Sequence, residues 1–175
     1  MTRFSLYVVM NANKNKVPVT AKKATARDLS ITTADPKRQT DWTDDYITES
    51  GFDLYAFHTR EGELVALGAY ELDENSVVVH IIYMESQAES NKTLVITPKY
   101  LGIGRALVAF GIKLSVDAGH NGDVTLDAKT PELAVHYERD FGAIRLPGRS
   151  SAVAPRYLIC DEAAMDIFTC YLEEG

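Results

Sequence analysis

Apolar and polar positions alternate differently in the two halves of the chain: the first half reads mostly as strands, the second as helices between short strands. Phe4 to Met10 is apolar and β-prone and predicts a strand. Asn11 to Lys16 supplies its turn with three asparagines and two lysines, and Val17 to Ala24 returns, so residues 1–20 read as an N-terminal hairpin. Thr25, three residues before Asp28, is a capping-box start for a short helix. Asp35-Pro36 opens a second polar helix that ends near Ser50-Gly51. Three strands follow: Phe52 to Thr59, turning at Glu61-Gly62; Glu63 to Leu72, turning at Asp73-Glu74-Asn75; and Ser76 to Glu85. Val77-Val78-Val79 and Ile81-Ile82-Tyr83-Met84 make the last of these apolar on both faces, the pattern of a central, doubly covered strand.

Gln87 to Pro98 breaks the pattern as an irregular excursion around Leu94-Val95-Ile96. The clearest helix, Gly102 to Ala118, carries Ile103, Leu107, Phe110 and Leu114 on one stripe. Val124 to Ala128 is a short strand, and Thr130-Pro131 starts a helix that stops at Phe141-Gly142. Ala143 to Leu146 and Tyr157 to Cys160 are the last strands, and residues 161–175 read as a C-terminal helix. Together these elements predict a single α/β domain over 1–175, a mixed and mostly antiparallel central sheet with helices on both faces.

Composition narrows the picture without changing it. A chain of 175 residues, 46% hydrophobic and 25% charged, is ordinary for one globular domain, which excludes wholesale disorder and disulfide scaffolds. Eighteen basic against 25 acidic residues give a net charge of −7, which argues against a nucleic-acid-binding role. No apolar run approaches the ~20 residues of a membrane span, so no membrane partner is expected. Met1 to Met10 does not read as a signal peptide, and Cys160 and Cys170 match no metal or redox spacing, so a cytoplasmic setting is expected.

Lys99-Tyr100-Leu101-Gly102-Ile103-Gly104-Arg105 is the informative stretch. Two glycines one residue apart stand where an extended segment becomes a helix. The first helical N–H groups have no carbonyl partner there, the dipole is positive, and glycine lets a phosphate approach the main chain. A Walker loop needs Gly-Lys-Ser/Thr, which is missing. A Rossmann fingerprint needs a third glycine where Leu107 stands, and no βαβ unit precedes it. Taken alone, the hexapeptide is equally a helix start with two turn glycines.

From Lys22-Lys23-Ala24-Thr25 with Asp28 to about Cys160, the chain resembles the GNAT superfamily of N-acetyltransferases. Lys99 to Gly104 is similar to that family's Gln/Arg-x-x-Gly-x-Gly/Ala loop, with lysine in the first place. Val124-Thr-Leu-Asp-Ala-Lys-Thr resembles its fifth strand, and His136-Tyr137-Glu138-Arg139-Asp140-Phe141-Gly142-Ala143 its Tyr-Glu-x-x-Gly-Phe/Ala segment. The resemblance implies a GNAT-type acyl-CoA N-acyltransferase fold with acetyl-CoA, the cosubstrate, between splayed central strands and an amine acceptor, small molecule or protein, taking the acetyl group directly. It implies that Lys99, Leu101, Gly102, Ile103, Gly104 and Arg105 form the cofactor loop, largely through backbone amides. Homodimers are common in the superfamily, but this sequence carries no signature of one. Lys99 and the 87–98 insertion are its departures from the pattern. A catalytically silent acyl-CoA-binding or interaction module on the same fold is the alternative.

Under that reading Tyr137 is the candidate general acid, because a phenol can protonate a departing thiolate; its other reading is an aromatic that packs a helix. Glu85 is the candidate base. Strict alternation puts Val77, Val79, Ile81, Tyr83 and Glu85 on one strand face, with the carboxylate at the cleft's mouth, where an arriving ammonium must lose a proton. Glu89, Asp127 or a water chain are alternatives, and a solvated strand end is the bland reading. His80 falls on the opposite face as a core or cleft-edge histidine, and His136 at the surface. The four histidines have no ligand spacing, so no metal is expected. Trp42 among Asp41, Asp44, Asp45 and Tyr46 reads as a core tryptophan in a solvated helix.

Overall fold

Strand-forming residues fill the first 23 positions and pair at once. The computed structural model describes residues 1–175 apart from Gln39, Asp73 and Arg149. Strands β1 (Thr2–Phe4), β2 (Tyr7–Met10) and β3 (Lys16–Lys23) open the chain, and β2 and β3 form the expected hairpin, with Val8 opposite Val17. Helix α1 (Ala26–Ala34) starts on the expected capping box: Thr25 Oγ1 accepts from the Asp28 amide, and the Asp28 carboxylate accepts from the Thr25 amide.

The second polar helix is much shorter than its sequence suggests. Of the 35–51 span only α2 (Asp45–Thr48) is helical among the described residues, and Gln39 lies outside them. Asp35, Asp41 and Asp44 each accept a hydrogen bond from the amide two residues on, at 2.8–2.9 Å. These local turns compete with helical pairing and break the run.

Strands β4 (Asp53–Thr59), β5 (Leu64–Leu72) and β6 (Val79–Ser86) form an antiparallel meander. The Asp73 part of the turn before β6 lies outside the described residues, and β6 begins three residues later than expected, leaving Val77 exposed. The 87–98 excursion holds one 3-10 turn at Ala88–Ser90 and no strand. Then come β7 (Tyr100–Leu101), α3 (Ile103–Asp117), β8 (Val124–Asp127), α4 (Pro131–Phe141), β9 (Ile144–Arg145), β10 (Arg156–Ile159), α5 (Asp161–Thr169) and β11 (Leu172–Glu174). The C-terminal helix therefore stops early. Burial of Tyr171 against Phe4 and Tyr7 swings residues 172–174 into a strand paired with β1.

Among the described residues nine strands form one sheet in the order β7-β2-β3-β4-β5-β6-β8-β10-β9. The pairs are antiparallel except β6 with β8, which α3 connects. Helices α3, α4 and α5 share one core with one face of the sheet; α1, Trp42 and Ile47 from α2 cover part of the other. Gly111 lets α3 lie close to the strands, since a Cβ there would stand 3.1 Å from Ile81 and 3.2 Å from the Tyr70 ring. That close approach offsets the roughly 1 kcal/mol that a helical glycine costs.

Two irregularities in the central strands shape everything that follows. Opposite β5 the register passes from Tyr83 with Ala69 to Ile81 with Tyr70, so Ile82 is an extra, bulged residue. Beyond Ile81 with Leu126, β6 and β8 cease to pair, although β6 runs on to Ser86. The parallel pair parts like a fork at its C-terminal end.

Candidate functional site

The glycine loop sits where the sequence puts it. Gly102 adopts φ +80°, a left-handed turn that only glycine enters freely, and α3 starts at the next residue. Neither Gly102 nor Gly104 has any heavy atom within 4 Å of the direction a Cβ would take, so both open onto free space at the helix N-terminus. An acyl-CoA pyrophosphate fits this place. Donors without helical partners face a surface that no side chain covers.

The fit comes from main chain rather than from Lys99. The Lys99 ammonium is paired with Glu63, whose other oxygen accepts from Tyr100 Oη at 2.6 Å. Ser90 Oγ accepts from the Tyr100 amide at 3.0 Å. Glu63 and the 3-10 turn of the excursion thus clamp β7 and fix the approach to the loop. The Arg105 guanidinium lies 3.5 Å from Cys170 Sγ and 3.5 Å from the Asp140 carbonyl, the latter at the outer limit of hydrogen bonding.

Tyr137 lies on the α3 side of the sheet, 5% exposed, between Phe141 and Tyr157. Burial, and secondarily the charge of Asp127 at the end of β8, push its hydroxyl pKa up to about 12. It stays a proton-bearing donor across the neutral range.

Glu85 is a correction. The bulge at Ile82 reverses alternation, so Glu85 shares a face with His80 rather than with Val79 and Ile81. It does not open to a cleft. Its side chain is 8% exposed, and its oxygens accept from Arg38 Nη1 at 3.0 Å, the Thr40 amide at 3.1 Å and the Trp42 indole at 3.2 Å. Those contacts commit the carboxylate to a buried ion pair rather than to the mouth of a cleft. Glu85 clips the segment between α1 and α2 to β6. Glu89, one of the alternatives, sits in the 3-10 turn beside Lys99, whose amide donates to the Glu89 carbonyl.

Asp127 belongs to a different arrangement. On the α2 side of the sheet a cavity of about 500 Å³ lies across β6, β8 and β10, walled by Tyr46, Phe52 and Tyr83. Its floor holds Asp127 and Arg156, paired at 2.8 and 3.2 Å, with His80 between them and Thr125. His80 Nδ1 lies 2.7 Å from Thr125 Oγ1, and Nε2 lies 3.3 Å from Arg156 Nη2 and 3.8 Å from Asp127. A guanidinium only donates, so the Arg156 contact requires a lone pair on Nε2. That contact goes with the tautomer whose proton sits on Nδ1, directed at Thr125, whereas an imidazolium would turn Nε2–H toward Asp127. Sequence reasoning put His80 in the core or at a cleft edge and did not weigh Arg156 or Lys129. The β6–β8 register was the missing signal, because it alone sets His80 beside Thr125.

No protein-family model and no curated protein matches the sequence. Solved structures do. A GNAT-family acetyltransferase from Listeria monocytogenes 4b F2365 aligns over 87% of this chain and 98% of its own, with a TM-score of 0.55 at 11% identity. Spermidine N-acetyltransferase from Vibrio cholerae, in complex with CoA and spermine, aligns over 84% and 98%, with a TM-score of 0.60 and also 11% identity. The chain has the GNAT acyl-CoA N-acyltransferase fold.

Proposed function

We propose that the protein transfers an acetyl group from acetyl-CoA directly to an amine. The observation that carries this reading is the fork between β6 and β8, with the glycine-opened N-terminus of α3 and buried Tyr137 on one side of the sheet and the polar cavity on the other. The CoA and spermine bound to the Vibrio cholerae neighbour support an acyl-CoA site and an amine acceptor. When bound, acetyl-CoA supplies the activated acyl group.

The backbone amides from Leu101 to Arg105 hold its pyrophosphate. Tyr137 gives a hydrogen bond to the sulfur as negative charge develops. Complete transfer of its proton to a thiolate whose thiol has pKa ~8.5 is uphill by roughly 5 kcal/mol when the phenol stands at about 12. Tyr137 therefore stabilises the leaving group by donating, and the final proton comes from water. On the acceptor side His80, held by Thr125 beside Asp127, takes the role that sequence reasoning gave to Glu85.

Titration calorimetry with acetyl-CoA tests this on the wild type and Gly104→Val. A Cβ there meets no atom beyond the chain neighbours and the helix's own turn, so the fold should persist by circular dichroism while binding is lost. In the wild type, stability should rise by ~2.7 kcal/mol at a hundred times the dissociation constant. Equal affinity in the variant removes the loop from the site, and no binding in the wild type removes the function.

A further inference from the structure

We propose that Lys129 is itself an acetyl acceptor, because its ε-amine spans the fork between β6 and β8 inside the cavity. This rests on the acetyl-CoA reading above and adds to it a modification site on the protein's own chain.

Position is the first argument. Lys129 stands two residues beyond the end of β8, yet its Nζ lies 4.0 Å from the centroid of the Tyr83 ring, which belongs to β6 past its last pairing with β8. The side chain crosses the opening into which an acyl group bound between the strands is presented. Lys129 lines the cavity together with Asp127, His80 and Tyr83.

Its electrostatic setting is the second. Lys23, Lys99 and Lys113 are held as ammonium ions by Asp53, Glu63 and Asp117. Lys129 has no carboxylate within ion-pairing distance among the described residues; its head rests on an aromatic face instead. Partial burial there pulls its pKa down against the opposing pull of Asp127, whereas Lys23 and Lys99 are pushed up by their partners. A larger neutral fraction makes a better nucleophile.

The step balances with acetyl-CoA as sole co-reactant. The Lys129 nitrogen forms a bond to the thioester carbonyl carbon, the C–S bond breaks, and CoA leaves as thiolate, to be protonated from water. The proton lost by the amine passes to solvent or to His80. The product is Nε-acetyl-Lys129. With Glu71 and Asp127 facing Arg156 and Lys129, the cavity carries two charges of each sign. Acetylation leaves two acids against one cation, which favours cationic acceptors over neutral or anionic ones.

The full chain is incubated with acetyl-CoA and no added amine, then read by intact mass and peptide mapping, with calorimetry of acetyl-CoA in parallel. We expect one acetyl group on Lys129, at a first-order rate independent of protein concentration, and none in Lys129→Arg. A second arm needs no turnover: excess CoA should shield Lys129, and not the exposed Lys22, from an amine-reactive label. Acetyl-CoA binding with Lys129 modified no faster than Lys22, or labelled equally with and without CoA, overturns the inference alone. Absence of acetyl-CoA binding overturns it together with the functional reading.

Discussion

Two arginine–carboxylate pairs lie on the same side of the sheet and do opposite work. Arg38 and Glu85 are 5% and 8% exposed, share their polar atoms with Thr40, Trp42 and the Ser86 carbonyl, and close over one another. Arg156 and Asp127 are 36% and 23% exposed, line a cavity, and hold an imidazole between them. The chemistry of the groups is the same; their access to water is not. Sealing the first pair turns it into a structural clip, because neither charge can change partner without a large desolvation cost. Leaving the second pair open keeps its charges available to a substrate.

The comparison breaks most readily at the buried pair. Glu85→Ala leaves the Arg38 guanidinium buried without its counter-charge, and its Nε already has no partner among the described residues. We expect a loss of about 3–5 kcal/mol in denaturant unfolding. Glu85→Gln keeps the size and part of the bonding and should lose less. If Glu85 only clips the segment, surviving Gln enzyme keeps the wild-type shape of its pH–rate profile, with a raised KM for the acceptor. A profile whose acidic limb vanishes in Glu85→Gln returns Glu85 to the role of base.

The open cluster should respond the other way. His80→Gln removes the proposed proton acceptor while an amide can still bond to Thr125. Turnover at neutral pH should fall by roughly 10²–10⁴-fold, the range general-base catalysis supplies, and recover as pH rises toward the pKa of the acceptor amine. Stability should move by no more than about 1 kcal/mol, since the site is part-exposed and its ion pair is of the surface kind. A large stability loss with turnover intact inverts the comparison.

How far the sequence foretold this depended on the range of the interaction. The capping box at Thr25, the glycine loop, helix α3 and the Thr130-Pro131 start of α4 are local signals, and each stands within a residue or two of its expected place. Glu85 was misplaced because alternation assumes an unbroken ladder, and one bulged residue, Ile82, moves every later side chain to the other face. Nothing local marks that bulge; it arises in the fit of β6 to β5. The β1–β11 pairing joins the two ends of the chain, and the Arg156–His80 contact spans 76 residues, so neither leaves a local trace.

The smallest effect is expected at Tyr137, and it sharpens the contrast by placing a titratable group on the opposite face of the sheet. Tyr137→Phe removes one oxygen and keeps the ring against Phe141 and Tyr157, so stability at neutral pH should change little. In the acyltransferase reading kcat falls by about 10–100-fold, with little change in the KM for acetyl-CoA, because the hydrogen bond matters as the thiolate forms. A donor with a more acidic thiol should narrow that gap. The pKa gives a second readout that does not need turnover. The unfolded chain releases this phenolic proton near pH 10, whereas the folded one holds it until about 12. Between those values the unfolded state binds fewer protons, so wild-type stability falls as pH rises, by roughly 2–3 kcal/mol from this residue. The phenylalanine variant lacks that contribution and should lose less stability than wild type between pH 10 and 12. Buried Tyr70 and Tyr171, also pushed up by burial, act equally in both proteins and cancel in the difference. Equal alkaline unfolding of the two would mean that Tyr137 titrates normally. Equal kcat, where chemistry limits turnover, would leave it only the packing of α4.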